Sequence, residues 1–230
     1  MKKICFATII VLLAGIGTGI GFRQNAGDSG ISRIRNIEDI RALECNVNQI
    51  FTEDDVELFI EDGRKQHDGL SEAVEIYVVT PTDVVTQLNF TFFQEVRISK
   101  TIKGDRTENE IVEIVTQGGF YDQKYKYYDY SNDRPLYYGM TNILLPGYEY
   151  LVFVQPLKVN KHTDRKRYNL ATRLFGTFNL TSDYSKPIDK PVNEISYNEY
   201  GDSEYLCDTY DTIDYLVRFK HSIVEKYLGR

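Results

Sequence analysis

The sequence predicts a mainly β (α+β) fold: a five-stranded antiparallel barrel, with short helices before it and one amphipathic helix after it. Three observations lead to this prediction. Apolar and polar residues alternate along a long segment, 88–102, as in a strand with one buried face. Four further strand-like segments lie between residues 75 and 180, separated by turns rich in Gly, Pro and Asp. Long strands can bend and pair at both ends, which favours a closed or nearly closed barrel; a β-sandwich is the alternative.

Residues 1–23 are predicted to hold the chain in a membrane. Lys2 and Lys3 precede residues 4–22, a run of nineteen residues without a charge. Roughly 20 helical residues span the hydrocarbon of a bilayer, so this run is long enough for a single transmembrane helix that acts as a signal-anchor. A signal peptide that is cleaved to release a secreted domain is the alternative. The paired lysines predict that the chain beyond the segment is extracytoplasmic.

A polar linker is expected over residues 24–35, and short helices are expected within residues 36–70. The first helix is predicted over 36–43 and the second over 52–62. Thr52, followed three residues later by Asp55, is an N-cap signal for the second helix. Gly63 is placed to end that helix.

The barrel is predicted within residues 71–184. Its strands are expected at 75–79, 88–102, 110–116, 148–154 and 168–180. The fourth strand is apolar at both parities, which is typical of a strand buried on both faces.

The last two predicted regions follow the barrel. Residues 185–209 contain Pro187 and Pro191 and are expected to form a connector. Residues 210–230 are expected to contain an amphipathic helix, because their apolar residues recur on one stripe. That stripe should pack on the barrel or on the N-terminal helices.

Four sequence runs carry a resemblance to known proteins: TIKGD at 101–105, EIVEIVTQGG at 110–119, LLPGYEYLVFV at 144–154 and LFGTFNL at 174–180. Together they resemble uncharacterised secreted or membrane-anchored bacterial proteins. Their layout is similar to OB-fold modules of the netrin and metalloprotease-inhibitor type. Those inhibitors depend on a Cys-bearing amino terminus and several disulfides, which this sequence lacks. The resemblance therefore implies an OB-like barrel and an extracytoplasmic compartment, and it does not imply protease inhibition.

The charge of the chain excludes two classes of partner. Without Lys2, Lys3 and Arg23, 24 basic residues stand against 34 acidic ones, a net charge of −10 for the predicted exposed part. Nucleic acid needs a basic protein surface, so no nucleic-acid partner is expected. Adsorption of this part onto anionic lipid is excluded for the same reason.

Two cysteines lie outside the predicted membrane segment. Cys45 and Cys207 could form one disulfide in an oxidising compartment, and two lone buried thiols are the alternative. No metal site or cofactor is predicted, because His67, His162 and His221 are scattered rather than set at ligand spacing.

No catalytic residue is predicted. The tetrapeptide GDSG at 27–30 matches the surroundings of a serine nucleophile, but it lies in the predicted linker with no room upstream for its partners. The run GDS at 201–203 is followed only by His221 and is interpreted as a turn.

Two groups of residues are candidates for binding. The segment 120–138 is rich in tyrosine, whose flat apolar face and hydroxyl suit sugars or protein interfaces. The alternative is that these rings cover the barrel wall. A basic cluster on a predicted hairpin suits an anionic glycan or an acidic partner, and a hydrated hairpin tip is its alternative. The candidate residues are Tyr121, Tyr125, Tyr127, Tyr128, Tyr130 and Tyr137 in the first group and Lys161, Arg165, Lys166 and Arg167 in the second.

These observations favour a membrane-anchored, extracytoplasmic binding or interaction module without catalytic activity, with an envelope protein or glycan as its partner. One alternative is a structural accessory subunit of a membrane complex, since Gly15 with Gly19 and Gly17 with Gly21 would let another helix approach closely. A hydrolase with an unrecognised site is the other alternative.

Overall fold

The computed structural model describes residues 31–71, 74–88, 91–121, 134–139, 141–157, 166–172, 174–191 and 194–230. These residues form a mainly β structure with two sheets and three α-helices. Residues 31–230 belong to one compact unit. The predicted membrane segment, 4–22, lies outside the described residues. Within the described part, no helix combines the length and apolarity needed to cross a bilayer.

Helix α1 (Ile37–Arg41) begins after the N-cap residue Asn36, and helix α2 (Glu53–Asp68) begins after Thr52, the predicted N-cap. Asp55 accepts hydrogen bonds from the backbone N–H of Thr52 at 3.0 Å and from its hydroxyl at 2.8 Å. These bonds supply hydrogen-bond partners to polar groups at the start of the helix, which have no partner within the helix itself.

The prediction that Gly63 ends α2 is wrong, because the helix continues to Asp68 and is capped at Gly69. Gly63 is instead a packing position. A Cβ atom at residue 63 would lie 2.7 Å from the ring of Phe175 and 3.1 Å from the ring of Phe219. The absence of a side chain therefore lets α2 approach these two rings closely.

Helix α3 (Tyr210–Leu228) agrees with the predicted C-terminal helix. Thr209 caps its start by accepting from the N–H of Thr212 at 3.1 Å. Gly229 ends it in the left-handed conformation, with φ of 68°. Leu216, Phe219 and Ile223 are buried on its inner stripe.

Nine strands lie in the described residues. They are β1 (Asn46–Val47), β2 (Glu75–Leu88), β3 (Thr91–Lys103), β4 (Ile111–Gln117), β5 (Gly119–Tyr121), β6 (Leu136–Tyr138), β7 (Tyr150–Pro156), β8 (Arg167–Leu170) and β9 (Thr177–Asn179). One sheet has the order β2-β3-β4-β8-β7-β9, and β2 also pairs with β7. Each of β2, β3, β4, β8 and β7 therefore pairs with at least two others in a cycle. All of these pairings are antiparallel except β4 with β8.

The small sheet has the order β1-β6-β5. Strand β6 pairs parallel to β1 and antiparallel to β5.

The first and last predicted strands differ from the observed ones. Strand β2 extends to Leu88 because a register shift between Pro81 and Val85 accommodates the residues that break the alternation. The predicted strand 168–180 is two strands, β8 and β9, which both pair with β7. Strand β7 is buried at Tyr150–Val154 and has partners on both sides, as its apolar sequence predicts.

The core consists of three clusters of buried side chains. The first lies on strands of the cycle and includes Val96, Ile114 and Val152. The second packs α2 and α3 against β7 and β9, around Phe153, Phe178 and other aromatic rings. The third joins α1, the small sheet and the connector after β9. Every buried residue of α3 in these apolar clusters belongs to the second one.

We predict that Gly63→Ala destabilises the protein by roughly 1–2 kcal/mol in urea unfolding, although alanine is the better helix former. The reason is that the added methyl group meets the Phe175 and Phe219 rings. Gln66→Ala, on the exposed side of the same helix, is the control and should change the free energy of unfolding by less than about 0.5 kcal/mol. A Gly63→Ala protein more stable than wild type would contradict the close packing.

Candidate functional site

The described ends of the tyrosine-rich segment form a short two-stranded stem, β5 with β6. In this stem Gly119 pairs with Tyr138, Phe120 with Tyr137, and Tyr121 with Leu136. Phe120 and Leu136 are buried, at 1% and 6% exposure. The two ends of the segment are thus held next to each other by backbone hydrogen bonds and apolar anchors. The predicted binding residues Tyr125, Tyr127, Tyr128 and Tyr130 lie outside the described residues.

The prediction that Tyr137 is a binding residue is wrong, because its side chain is 2% exposed and lies in the core. Its ring centroid is 4.6 Å from that of Tyr197 and 5.4 Å from that of Phe120. Its hydroxyl donates to the carbonyl oxygen of Thr141 at 2.7 Å. Burial raises the pKa of Tyr137 well above its ordinary value. The Tyr137 ring is therefore part of the third core cluster and offers no binding surface.

Tyr121 and Tyr138 are the tyrosines of the stem that reach solvent. Tyr121 is partly exposed, and Tyr138 is 54% exposed. They lie on opposite strands and at opposite ends of the stem, because Tyr121 pairs with Leu136 and Tyr138 pairs with Gly119. The stem therefore combines buried anchors with accessible aromatic surface.

Gln87 fixes the stem to the end of β2. Its side-chain amide donates to the carbonyl oxygen of Phe120 at 2.6 Å and accepts from the N–H of Phe120 at 2.8 Å. The amide thus takes the place of a neighbouring strand along β5. Sequence analysis missed this residue; the available signal is a polar amide at the end of an apolar strand.

Two residues of the predicted basic cluster, Lys166 and Arg167, are described, and both pair with carboxylates. The Lys166 ammonium lies 2.8 Å from a Glu110 carboxylate oxygen. The Arg167 guanidinium binds Glu113 and lies 5.0 Å from the centroid of the Phe93 ring. Lys161 and Arg165 lie outside the described residues. Lys166 and Arg167 thus contribute to the joint of β4 and β8, and their charge is partly neutralised there.

Of the two possibilities left open for Cys45 and Cys207, a disulfide and two lone buried thiols, the structure shows two buried free thiols. They lie in different clusters of the core, the third and the second respectively. Burial raises the pKa of Cys45 to about 12 and raises that of Cys207 further. The start and end of the folded part are joined by backbone bonds instead: Phe51 N–H donates to Leu206 at 2.6 Å, and Asp208 N–H donates to Phe51 at 3.0 Å.

The GDS run at 201–203 has no catalytic geometry. Ser203 is 1% exposed, and its hydroxyl oxygen accepts from the N–H of Lys186 at 3.1 Å. His221 instead lies 3.0 Å from Asp183. Across the described ranges, no group of three or more His, Cys, Asp or Glu side chains could hold a metal ion. The GDSG run at 27–30 lies outside those ranges.

Sequence analysis also missed a buried ion cluster at α3. Lys220 is 1% exposed, and its ammonium donates to Glu204 at 2.6 Å, to the carbonyl oxygen of Ser182 at 3.0 Å, and to Asp183. Burial raises the pKa of Glu204, and Lys220 opposes that change. A cleft of about 570 Å³ lies beside the cluster. With three acceptors, the Lys220 amine serves as an attachment of α3 and has no lone pair free for nucleophilic chemistry.

Comparison with known proteins adds no assignment: no protein-family model and no curated protein matches this chain.

We predict that Gln87→Ala destabilises the stem by about 1–3 kcal/mol, because the N–H and carbonyl of Phe120 lose their amide partner. Hydrogen exchange at the Phe120 amide should accelerate, while exchange in α3 stays unchanged. Leu88→Ala changes an exposed neighbour and is the matched control. Unaltered protection of Phe120 in Gln87→Ala would show that the amide pairing is dispensable.

Proposed function

We propose that this protein is an extracytoplasmic binding module, tethered by residues 4–22, that captures an envelope protein or glycan through its tyrosine-rich segment without a catalytic step. The observation that carries the proposal is the anchored stem. Phe120 and Leu136 are buried, the backbones of β5 and β6 are paired, and Gln87 binds the outer edge of β5. Binding residues are commonly found on loops that a rigid scaffold positions.

Tyrosine suits this role for a physical reason. Its ring offers a large flat apolar contact area, and its hydroxyl adds a hydrogen bond at a low cost in conformational entropy. The exposed Tyr138 ring adds accessible aromatic surface at the stem itself. The pairing of Lys166 and Arg167 with carboxylates favours the tyrosines over the basic cluster as the main contact.

The proposal includes an OB-type barrel as the scaffold. In that arrangement five strands pair in the cyclic order 1-2-3-5-4-1, with strands 3 and 5 parallel. The cycle of β2, β3, β4, β8 and β7, in which only β4 and β8 run parallel, supports this assignment. The stem belongs to the long insertion between the third and fourth strands of the cycle.

We predict that the triple variant Tyr125→Ala, Tyr127→Ala and Tyr128→Ala loses capture of partners from cell-envelope extract while keeping its melting temperature. Loss of the aromatic contact surface is the reason. Tyr210→Ala, a 72% exposed tyrosine on α3, is the matched control and should retain capture. A large fall in melting temperature of the triple variant would instead place these rings in the core.

Tyr137 belongs to the same segment but lies in the core, so its replacement should reduce stability. Tyr137→Ala is expected to lower the free energy of unfolding by roughly 3–5 kcal/mol, because it removes a buried ring. Chemical denaturation measures this loss. A change of less than about 1 kcal/mol would be inconsistent with the burial of Tyr137.

The membrane tether is tested by a reporter fused to the carboxyl end. We predict that a reporter active only outside the cytoplasm is active in the fusion, because the paired lysines orient the segment with its amino end inside. A reporter active only in the cytosol would overturn the proposed compartment and leave the stem geometry untouched.

A further inference from the structure

His67 lies beneath α3, in the apolar cluster that joins this helix to the rest of the protein. The side chain is 2% exposed. Its ring centroid lies 4.5 Å from that of Phe153, 5.5 Å from that of Phe178 and 6.0 Å from that of Phe219. Two of these rings belong to β7 and β9, and Phe219 belongs to α3. The imidazole therefore contacts both sides of the interface.

The surroundings of the ring accommodate only a neutral imidazole. Nε2 lies 3.0 Å from the carbonyl oxygen of Phe175, which can only accept, so Nε2 carries the proton. Nδ1 is buried and has no hydrogen-bond partner among the described residues. A second proton on the ring would create an N–H donor without an acceptor and a charge among aromatic side chains.

The charged groups near His67 do not compensate for that second proton. Lys226 of α3 lies 2.8 Å from Asp68, and its ammonium also approaches the backbone oxygen of His67 at 3.5 Å. The Tyr227 hydroxyl donates to the same oxygen at 3.2 Å. The carboxylate of Asp68 is thus engaged by Lys226, and the Lys226 charge itself disfavours a protonated His67.

We propose that His67 makes the docking of α3 sensitive to acid: protonation of its imidazole releases α3 from α2 and from β7 and β9, while the cycle of strands stays folded. Release is local because the apolar residues of α3 belong to the second cluster alone. Strands β2 and β7 of the cycle also reach the second cluster, but the cycle keeps its own first cluster when α3 leaves. The inference does not depend on the proposed binding function.

The direction of the pH effect follows from the pKa of His67. Burial lowers it from an ordinary value of 6.5 to about 4. Between pH 4 and pH 6.5, the state with α3 undocked therefore binds more protons than the docked state. Docking is at full strength above pH 6.5 and weakens as the pH falls toward 4. At pH 5 this linkage corresponds to about a 30-fold loss in the docking equilibrium.

Other groups facing α3 act differently in the same range. The Lys220 ammonium holds α3 to Asp183 and Glu204, and His221 also contacts Asp183. Lys220 and other neighbours hold the pKa of Asp183 below its ordinary value, although burial opposes this, so Asp183 stays charged at pH 5. Burial raises the pKa of Glu204, which therefore opposes acid release. The His67 contribution must accordingly be measured as a difference between variants.

The test is hydrogen exchange of the full-length chain at pH 7 and pH 5, corrected for intrinsic rates. We expect peptides of α3 to lose protection about 20-fold more than peptides of β3 in the wild type between pH 7 and pH 5. His67→Gln keeps a donor near Phe175 and cannot titrate, so its α3 should show no such pH response. Equal loss in α3 and β3, or a response that persists in His67→Gln, would overturn the proposal.

A second measurement keeps the proposal testable if His67→Gln does not fold. The imidazole resonance of His67 in the wild type should titrate near pH 4, at the lower end of the range over which α3 loses protection. An imidazole that titrates near 6.5 would show that the docked state does not disfavour its protonation, and would overturn the proposal.

Discussion

The structure depends on side-chain amides that hydrogen-bond to backbone groups outside the regular strand ladders. The Gln94 amide donates to and accepts from the backbone of Leu144, at 2.9 and 3.0 Å, and Gln87 does the same for Phe120. Asn142 donates to the carbonyl oxygen of Gly201 at 2.6 Å. An amide side chain has the donor and acceptor of a peptide group, and an unpaired buried peptide group costs about 1–3 kcal/mol. Gln87 and Gln94 therefore fix the stem and the connection before β7 to strands of the cycle, and Asn142 joins that connection to the one after β9.

Helix α3 is attached by two kinds of interaction with different physical origins. Its apolar stripe packs into the aromatic cluster around His67, where Gly63 allows α2 to come close. Lys220 adds a buried charge, which is tolerated only because Glu204, Asp183 and a carbonyl oxygen surround it. The apolar stripe thus holds α3 against α2, β7 and β9, and the ammonium holds it against residues 182–204, which follow β9.

Whether a polar or aromatic side chain is available for binding depends on its neighbours in the structure and not on its residue type alone. Tyr137 and Tyr138 are adjacent in the chain, yet one is 2% and the other 54% exposed, because successive side chains of β6 point to opposite faces. Arg167 belongs to a basic run, but Glu113 and Phe93 engage it. Ser203 lies in a run typical of hydrolases, but it binds a backbone N–H. Residue type alone thus overstated the number of available binding groups.

The sequence by itself determined the mainly β class, the N-cap at Thr52, the buried strand β7 and the C-terminal helix, since each depends on neighbours within a few residues. Only the tertiary structure decided the extension of β2 past Pro81, the passage of α2 through Gly63, the free state of Cys45 and Cys207, and the burial of His67 and Lys220. Each of these depends on a partner far away in the chain. Local periodicity records which face of a segment is apolar, but it carries no information about which distant group lies against that face.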